Sequence, residues 1–189
     1  MKRLWCMEVG CVDPRRLVFV DEMGTHTTSL APVYAYAPIG ERAFFEIPRN
    51  RGTNTTTLLS SLHVEGIGPS MAVEGASTKE VFETYVKHFL APALRAGQLV
   101  VMDNLGAHRP KRVKELIEDK GCELLYLPVY SPDFNPIEEA FSKVKHILRK
   151  IGARTKEALV GAMGRALGAV STEDVCGSFA HCGYRTPAQ

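Results

Sequence analysis

Residues 127–139, LPVYSPDFNPIEE, decide the fold of this chain. Three prolines keep most of this stretch out of a helix, because each one fixes its own φ angle and biases the preceding residue toward extended geometry. Asn135 then occupies the position of a helix N-cap, and Pro136 occupies the first helical position. Glu138 and Glu139 follow in the first turn, where the helix dipole favours negative charge. The stretch therefore predicts a rigid lead that presents a carboxylate at the start of a helix.

The composition is that of an ordinary folded domain. The chain has 189 residues, of which 45% are hydrophobic and 23% are charged, and its net charge is +2. This length is sufficient for one domain with a substantial core. No apolar run approaches the roughly 18 residues of a membrane span, and acidic residues interrupt the N-terminal stretch that a secretion signal would occupy. We therefore expect a cytoplasmic protein without a membrane segment.

The cysteines indicate reduced thiols. There are 5 of them, an odd number, and they are irregularly spaced without a C-x-x-C pair, as is usual for cytosolic proteins. Cys176, His181 and Cys182 lie close together in the sequence, but no second ligand pair stands at a spacing that suits zinc. A zinc site is therefore not expected.

Two short apolar runs end in acidic residues. Residues 16–20 predict a buried strand that ends at Asp21, and residues 98–102 predict another that ends at Asp103, with Asn104 next. A carboxylate that directly follows a buried strand serves chemistry more often than packing. Asp21 and Asp103 are therefore candidate functional residues, to be considered together with Glu138.

The rest of the pattern predicts a mixed α/β architecture in which helices pack against one central sheet. Several strands come first, then helices and strands alternate, and helices come last. The expected extended segments are 43–47, 53–64, 70–73 and 122–127, with a tight turn at 66–69. The expected helices run from Ser77 or Thr78 to about Gly97, over 110–120, from Asn135 onward, over 155–170 and over 172–179, with the last ten residues frayed.

The three carboxylates suggest metal chemistry. Asp21, Asp103 and Glu138 would repel one another strongly unless positive charge lay between them. Mg²⁺ or Mn²⁺ are the natural counterions, since hard cations prefer oxygen ligands. Two such ions about 3.5–4 Å apart can support in-line displacement at phosphorus. The residues themselves therefore predict metal-dependent phosphodiester chemistry.

The sequence around the acids resembles the catalytic domain of DDE transposases of the mariner-like superfamily, on its bacterial insertion-sequence branch. The matching motifs are VFVDE at 18–22, VMDN at 101–104 with His108 behind it, and SPDFNPIE at 131–138. Between Asp103 and Glu138 lie 34 residues, 104 to 137, which is the interval typical of the family. The resemblance covers about residues 16–155.

The resemblance implies a ribonuclease H-like fold, a mixed central sheet flanked by helices. It implies that residues 16–155 form the catalytic domain, with a lead-in at 1–15 and a C-terminal helical extension of the same domain at 156–189. Asp21, Asp103 and Glu138 would bind two Mg²⁺ ions, for which Mn²⁺ can substitute. The implied reaction is cleavage at the ends of a mobile DNA element, followed by attack of the freed 3′-hydroxyl on target DNA. A dimer on DNA, associated with the bacterial nucleoid, is implied as well.

Other residues near the motifs have alternative interpretations. Glu139 is the rival of Glu138, but the 34-residue interval favours Glu138. Asn104 and His108 either orient a water or a phosphate, or are structural. Asp133 and Asn135 are expected to shape the turn and cap the helix.

Basic residues are expected to contact DNA. Lys145 and Arg149 fall on the helical stripe of Glu138, which favours contact with phosphate. Arg49 and Arg51 lie in a basic turn, where either phosphate contact or a plain hairpin tip is consistent with the pattern.

One departure from the family concerns DNA recognition. Full-length relatives carry helix-turn-helix segments ahead of the catalytic domain, whereas here the first catalytic strand starts by residue 16. A separate or frameshift-joined recognition half, a truncated relic and an isolated domain all remain open. Two rival functions accompany them: a ribonuclease H-like nuclease that cuts without joining, and a non-catalytic remnant that binds DNA or dimerises.

Overall fold

A five-stranded mixed sheet forms the centre of the protein. The structure, a computed structural model, describes residues 5, 9, 11–26, 30, 34, 36–44, 55–104, 111–129 and 131–184. In these residues the strand order is β3-β2-β1-β4-β5. Strands β1, β2 and β3 pair antiparallel, and β1, β4 and β5 pair parallel. The strands are β1 (Leu17–Thr25), β2 (Thr56–His63), β3 (Gly66–Glu74), β4 (Leu99–Met102) and β5 (Glu123–Tyr126).

Strand β1 is longer than its apolar run. We expected it to end at Asp21, but it continues to Thr25, because β2 pairs with it along the whole length and Thr25 lies opposite Thr56. Beyond Asp21 burial alternates, as Met23 is buried and Gly24 is exposed. The corresponding prediction for β4 is confirmed, since that strand ends at Met102.

In the described part of the chain five helices flank the sheet, and most begin at a side-chain cap. Thr78 accepts a hydrogen bond from the Val81 amide at the first helix, and Ser171 forms a reciprocal capping box with Asp174 at the last. Among the described residues, no helix is both long and apolar enough to cross a membrane. The elements are α1 (Lys79–Tyr85, continued by a π-helical turn Val86–Leu90 and by Ala91–Ala93), α2 (Lys111–Glu118), α3 (Pro136–Ile151), α4 (Lys156–Gly168) and α5 (Thr172–His181).

The helices cover opposite faces of the sheet and create two hydrophobic cores. On one face, Phe19 and Val101 pack with the buried residues of α3, α4 and α5. On the other, Val18 and Val100 pack with those of α1 and α2. Because side chains alternate along a strand, residues two positions beyond Phe19 and Val101 point toward the α3 face. The predicted layer architecture is confirmed.

The C-terminal segment is ordered by packing up to Tyr184, where the sequence had suggested fraying. Tyr184 is 3% exposed, and its ring lies 5.1 Å from that of Phe19. Its hydroxyl donates to the carbonyl of Phe134 at 2.7 Å and accepts from the indole of Trp5 at 3.3 Å. The described end of the chain is therefore packed against the rigid lead into α3.

The β2–β3 hairpin turns at Val64 and Glu65, and not at residues 66–69 as expected, because Gly66 already pairs with His63. Further along, Gly68 is crowded: a Cβ atom there would lie 2.3 Å from Ser61 Oγ and 2.7 Å from His63 Nε2. We expect Gly68→Ala to lower the free energy of unfolding by about 1–3 kcal/mol through overpacking, measured by urea titration.

Gly164→Ala is the matched control for this prediction. Gly164 lies inside α4, and a Cβ atom there would meet nothing within 4 Å. Alanine should therefore stabilise the protein by about 0.5–1 kcal/mol through helix propensity. If Gly68→Ala unfolded at the urea concentration of the wild type, the close approach at Gly68 would be wrong.

Candidate active site

Two of the three carboxylates occupy equivalent positions on the neighbouring parallel strands β1 and β4. Val20 of β1 pairs with Met102 of β4, so Asp21 and Asp103 occupy the next position of each strand. Both lie two residues beyond core positions of the α3 face, and therefore project toward that face. Asp103 directly follows the last paired residue of β4, whereas Asp21 remains paired with Ser60 of β2.

The rigid lead places the third carboxylate, Glu138, in a cavity that it shares with Asp103. A 3₁₀ turn, Pro132–Phe134, precedes Asn135 and α3. The Glu138 amide donates to the Asn135 carbonyl at 3.1 Å, which forms the first turn of the helix. A cavity of about 340 Å³ results, and its lining includes Asp103, Asn104, Asn135 and Glu138 together with Leu127, Pro128 and Ser131 of the lead.

Asn135 links this cavity to Asp21. Its side chain makes no capping hydrogen bond, although its backbone occupies the N-cap position of α3. Instead, Asn135 Nδ2 donates to Asp21 Oδ2 at 2.9 Å, and the Glu22 amide donates to Asp21 Oδ1 at 2.7 Å. The prediction that this side chain caps the helix is therefore wrong. The residue type and its position do not distinguish a capping side chain from a donor to Asp21, because the outcome depends on strand β1, which is distant in the sequence.

The oxygen donors suit a hard divalent cation, but they do not form a preassembled metal site. Within the part of the chain that the structure describes, no three His, Cys, Asp or Glu side chains approach closely enough to hold a metal ion. Asp21 is 8% exposed, Asp103 is half-buried and Glu138 is exposed. The donor set fits Mg²⁺ or Mn²⁺, which would have to draw the side chains together.

Comparison with known proteins identifies the family. The model of the DDE superfamily endonucleases matches residues 16–160, most of the chain. The chain belongs to this family. Among curated proteins, none matches the chain. The DDE motifs read from the sequence thus mark a domain of the DDE superfamily.

Solved structures of the Mos1 mariner transposase share the fold. The Mos1 strand transfer complex has a TM-score of 0.77 at 18% identity, covering 96% of this chain and 56% of the other. The paired-end complex with Mg has a TM-score of 0.73 at 16% identity, covering 99% and 61%. The isolated Mos1 catalytic domain has a TM-score of 0.59 at 15% identity, covering 98% and 91%. The predicted ribonuclease H-like fold is confirmed, and the chain spans little more than half of the longer Mos1 chains.

Glu139 does not line the cavity that contains Asp103 and Glu138. Its Oε1 contacts Nδ1 of His181 in α5. It lines a second cavity of about 410 Å³, which also includes Asp133, Glu138 and Cys182. Glu138 alone of the two glutamates lines the cavity that contains Asp103. The choice of Glu138 as the catalytic glutamate stays a prediction.

Negative charge dominates the surroundings of Cys182. Burial raises the pKa of its thiol, and the carboxylates of Glu139, Asp133 and Glu138 raise it further, to about 12. The thiol is therefore protonated at neutral pH and is a poor metal ligand.

The basic residues of α3 differ in their surroundings. Lys143 contacts Asp174 of α5 in an ion pair, and the pKa of Asp174 is lowered to about 2, first by that hydrogen bond and then by Ser171. Lys145 and Arg149 are half-buried and follow Glu138 by about two and three turns on the same stripe. Arg49, Arg51 and His108, which the sequence also suggested, lie outside the described residues.

Proposed function

We propose that the protein is the catalytic domain of a DDE transposase, which cleaves DNA at the ends of a mobile element and joins the freed 3′-hydroxyl to target DNA. The observation that carries this proposal is that Asp103 and Glu138 line one cavity and that Asn135, in the same lining, binds Asp21. This arrangement occurs in a DDE endonuclease domain at the expected 34-residue interval.

Asp21, Asp103 and Glu138 are the proposed ligands of two Mg²⁺ ions, with Mn²⁺ as a substitute. The Mos1 paired-end complexes contain Mn in one structure and Mg in another, at low sequence identity to this chain. Such ions would activate the attacking oxygen and stabilise the leaving oxygen of an in-line displacement. The chain itself holds Asp21 in a paired strand, and it presents Glu138 at an exposed helix start.

The remaining roles follow from this assignment. Asn104, in the cavity lining, and His108 would orient the reacting phosphate or water, and Glu139 would support α3 through His181. We place the protein in the bacterial insertion-sequence branch, and in the cytoplasm with association to the nucleoid. A dimer on DNA is proposed because related complexes are described as paired-end complexes. End recognition would come from a separate helix-turn-helix half.

The domain limits are part of the proposal. Residues 16–155 would be the catalytic domain, 1–15 a lead-in, and 156–189 a helical extension of the same domain. Support comes from α4 and α5, whose buried residues share one hydrophobic core with α3 and β1.

Lys145 and Arg149, with Arg49 and Arg51, are the proposed phosphate contacts. Replacing Lys145 and Arg149 together by alanine is expected to reduce the slope of log affinity against log salt concentration by about 1 per residue, because each contact releases a counterion. Fluorescence anisotropy with short duplex DNA measures this slope. Lys120→Ala, an exposed position after α2 on the opposite face, should leave it unchanged. Equal slopes for all three proteins would refute the assignment.

A joining assay tests the proposed reaction. The chain is incubated in Mn²⁺ with supercoiled plasmid and with a labelled duplex that carries a free 3′-hydroxyl end. We expect nicking of the plasmid and covalent transfer of the label into it. Nicking without transfer would indicate a ribonuclease H-like nuclease. Salt-sensitive DNA binding without nicking would indicate a non-catalytic remnant that binds DNA or dimerises.

A further inference from the structure

We propose that Asn135 is a positioning residue that fixes Asp21 relative to Glu138 and thereby sets the affinity of the site for divalent cations. The inference deepens the proposed function and rests on it, since Asp21 and Glu138 are ligands only if the site binds metal.

The side chain of Asn135 supplies the first half of the link. Asn135 is 2% exposed and Asp21 is 8% exposed, so the hydrogen bond from Nδ2 to Oδ2 is shielded from water. Only the amide nitrogen of Asn135 can donate to a carboxylate, which fixes the orientation of the amide group. Bonds to a charged acceptor are stronger than bonds between neutral groups. The bond joins strand β1 to the start of helix α3.

The backbone of Asn135 supplies the second half. Its carbonyl accepts from the Glu138 amide at 3.1 Å, and its own amide donates to the Pro132 carbonyl at 2.8 Å. Pro136 follows directly and restricts the backbone further. Asp21 and Glu138 are thus connected through one residue by two hydrogen bonds. A shift of Asn135 would move the Asp21 carboxylate and the first turn of α3 relative to each other.

Two of the hydrogen bonds that Asp21 accepts orient its carboxylate. Oδ1 accepts a hydrogen bond from the Glu22 amide, and Oδ2 accepts one from the Asn135 side chain. Outer hydrogen-bond partners that orient a metal ligand typically change metal affinity 10–100-fold when they are removed.

The N-cap position of the Asn135 backbone can be kept while the side-chain hydrogen bond to Asp21 is removed. Serine is as good an N-cap as asparagine, so Asn135→Ser should preserve the start of α3. The serine side chain is shorter than that of asparagine, so its hydroxyl cannot reach Asp21 Oδ2, which lies 2.9 Å from Asn135 Nδ2. Asn135→Gly provides a second variant, since glycine is also accepted at N-caps.

Calorimetric titration with Mn²⁺, without DNA, tests the inference on the whole chain. We expect Asn135→Ser and Asn135→Gly to bind Mn²⁺ about 10–100-fold more weakly than the wild type. Ser142→Ala, a polar exposed position on the same helix, should bind like the wild type. Thermal melting by circular dichroism establishes that each variant is folded.

Two other outcomes have distinct meanings. If the Asn135 variants melt earlier but bind Mn²⁺ like the wild type, Asn135 is merely structural and the inference is overturned. Asp103→Asn, titrated in parallel, should abolish binding. If the wild type binds no Mn²⁺, or Asp103→Asn leaves binding unchanged, then the proposed metal site fails and the inference falls with it.

Discussion

Asp103→Asn should lower Mn²⁺-dependent nicking of supercoiled DNA by at least about 10³-fold, as removal of a central catalytic group commonly does. Asparagine has the shape of aspartate but lacks its negative charge and one of its metal-binding oxygens. Asp103 directly follows β4 and lines the cavity that it shares with Glu138. The substitution therefore removes a charge that would hold the proposed cations, while it preserves the packing around the strand.

Asp119→Asn is the matched control, because it makes the same chemical change at an exposed position beyond α2. It should nick DNA at the wild-type rate. Circular dichroism should show equal melting temperatures for both variants within a few degrees. A wild-type rate for Asp103→Asn would exclude the site from catalysis.

Phe179→Ala is expected to lower the free energy of unfolding by about 3–5 kcal/mol, the range for truncation of a buried phenylalanine. Phe179 of α5 is 0% exposed. Its ring meets Phe19 of β1 at 5.4 Å and Tyr184 at 5.9 Å. Alanine would leave a cavity between the C-terminal helix and the central strand. Urea unfolding, followed by circular dichroism, should show one transition shifted to lower urea.

This prediction also tests the proposed domain limits. Val160→Ala, at a residue of α4 that is 47% exposed, should change stability by no more than about 0.5 kcal/mol. If α5 instead unfolded in a separate early transition, with the main transition unmoved in Phe179→Ala, the C-terminal helices would not belong to the same folding unit.

The local sequence was sufficient to predict features that depend on residues adjacent in the chain. The prolines and Glu138 in residues 127–139 predicted a helix start, and the structure begins α3 at Pro136. The apolar run before Asp103 predicted a strand that ends there, which β4 does. Both follow from fixed φ angles and from a run of buried residues, and need no knowledge of distant parts of the chain.

Features that depend on a distant partner were missed. Strand β1 continues beyond Asp21 because β2, about 35 residues later, pairs with it. The alternation of Met23 and Thr25 after Asp21 was the available signal, and it was short. For Asn135 there was none, because the same side chain serves equally well as a cap or as a donor to Asp21. Tertiary position decides between these roles.

The hydrogen bond between Asn135 and Asp21 joins positions 114 residues apart, and Tyr184 supports the lead into α3 from 50 residues further on. Protein synthesis proceeds from the N-terminus, so strand β1 emerges from the ribosome long before either partner. A nascent chain that ends before Asn135 contains Asp21 but lacks the side chain that donates a hydrogen bond to it, and it also lacks Glu138. Both contacts can therefore form only after residues 135 and 184, respectively, have been translated.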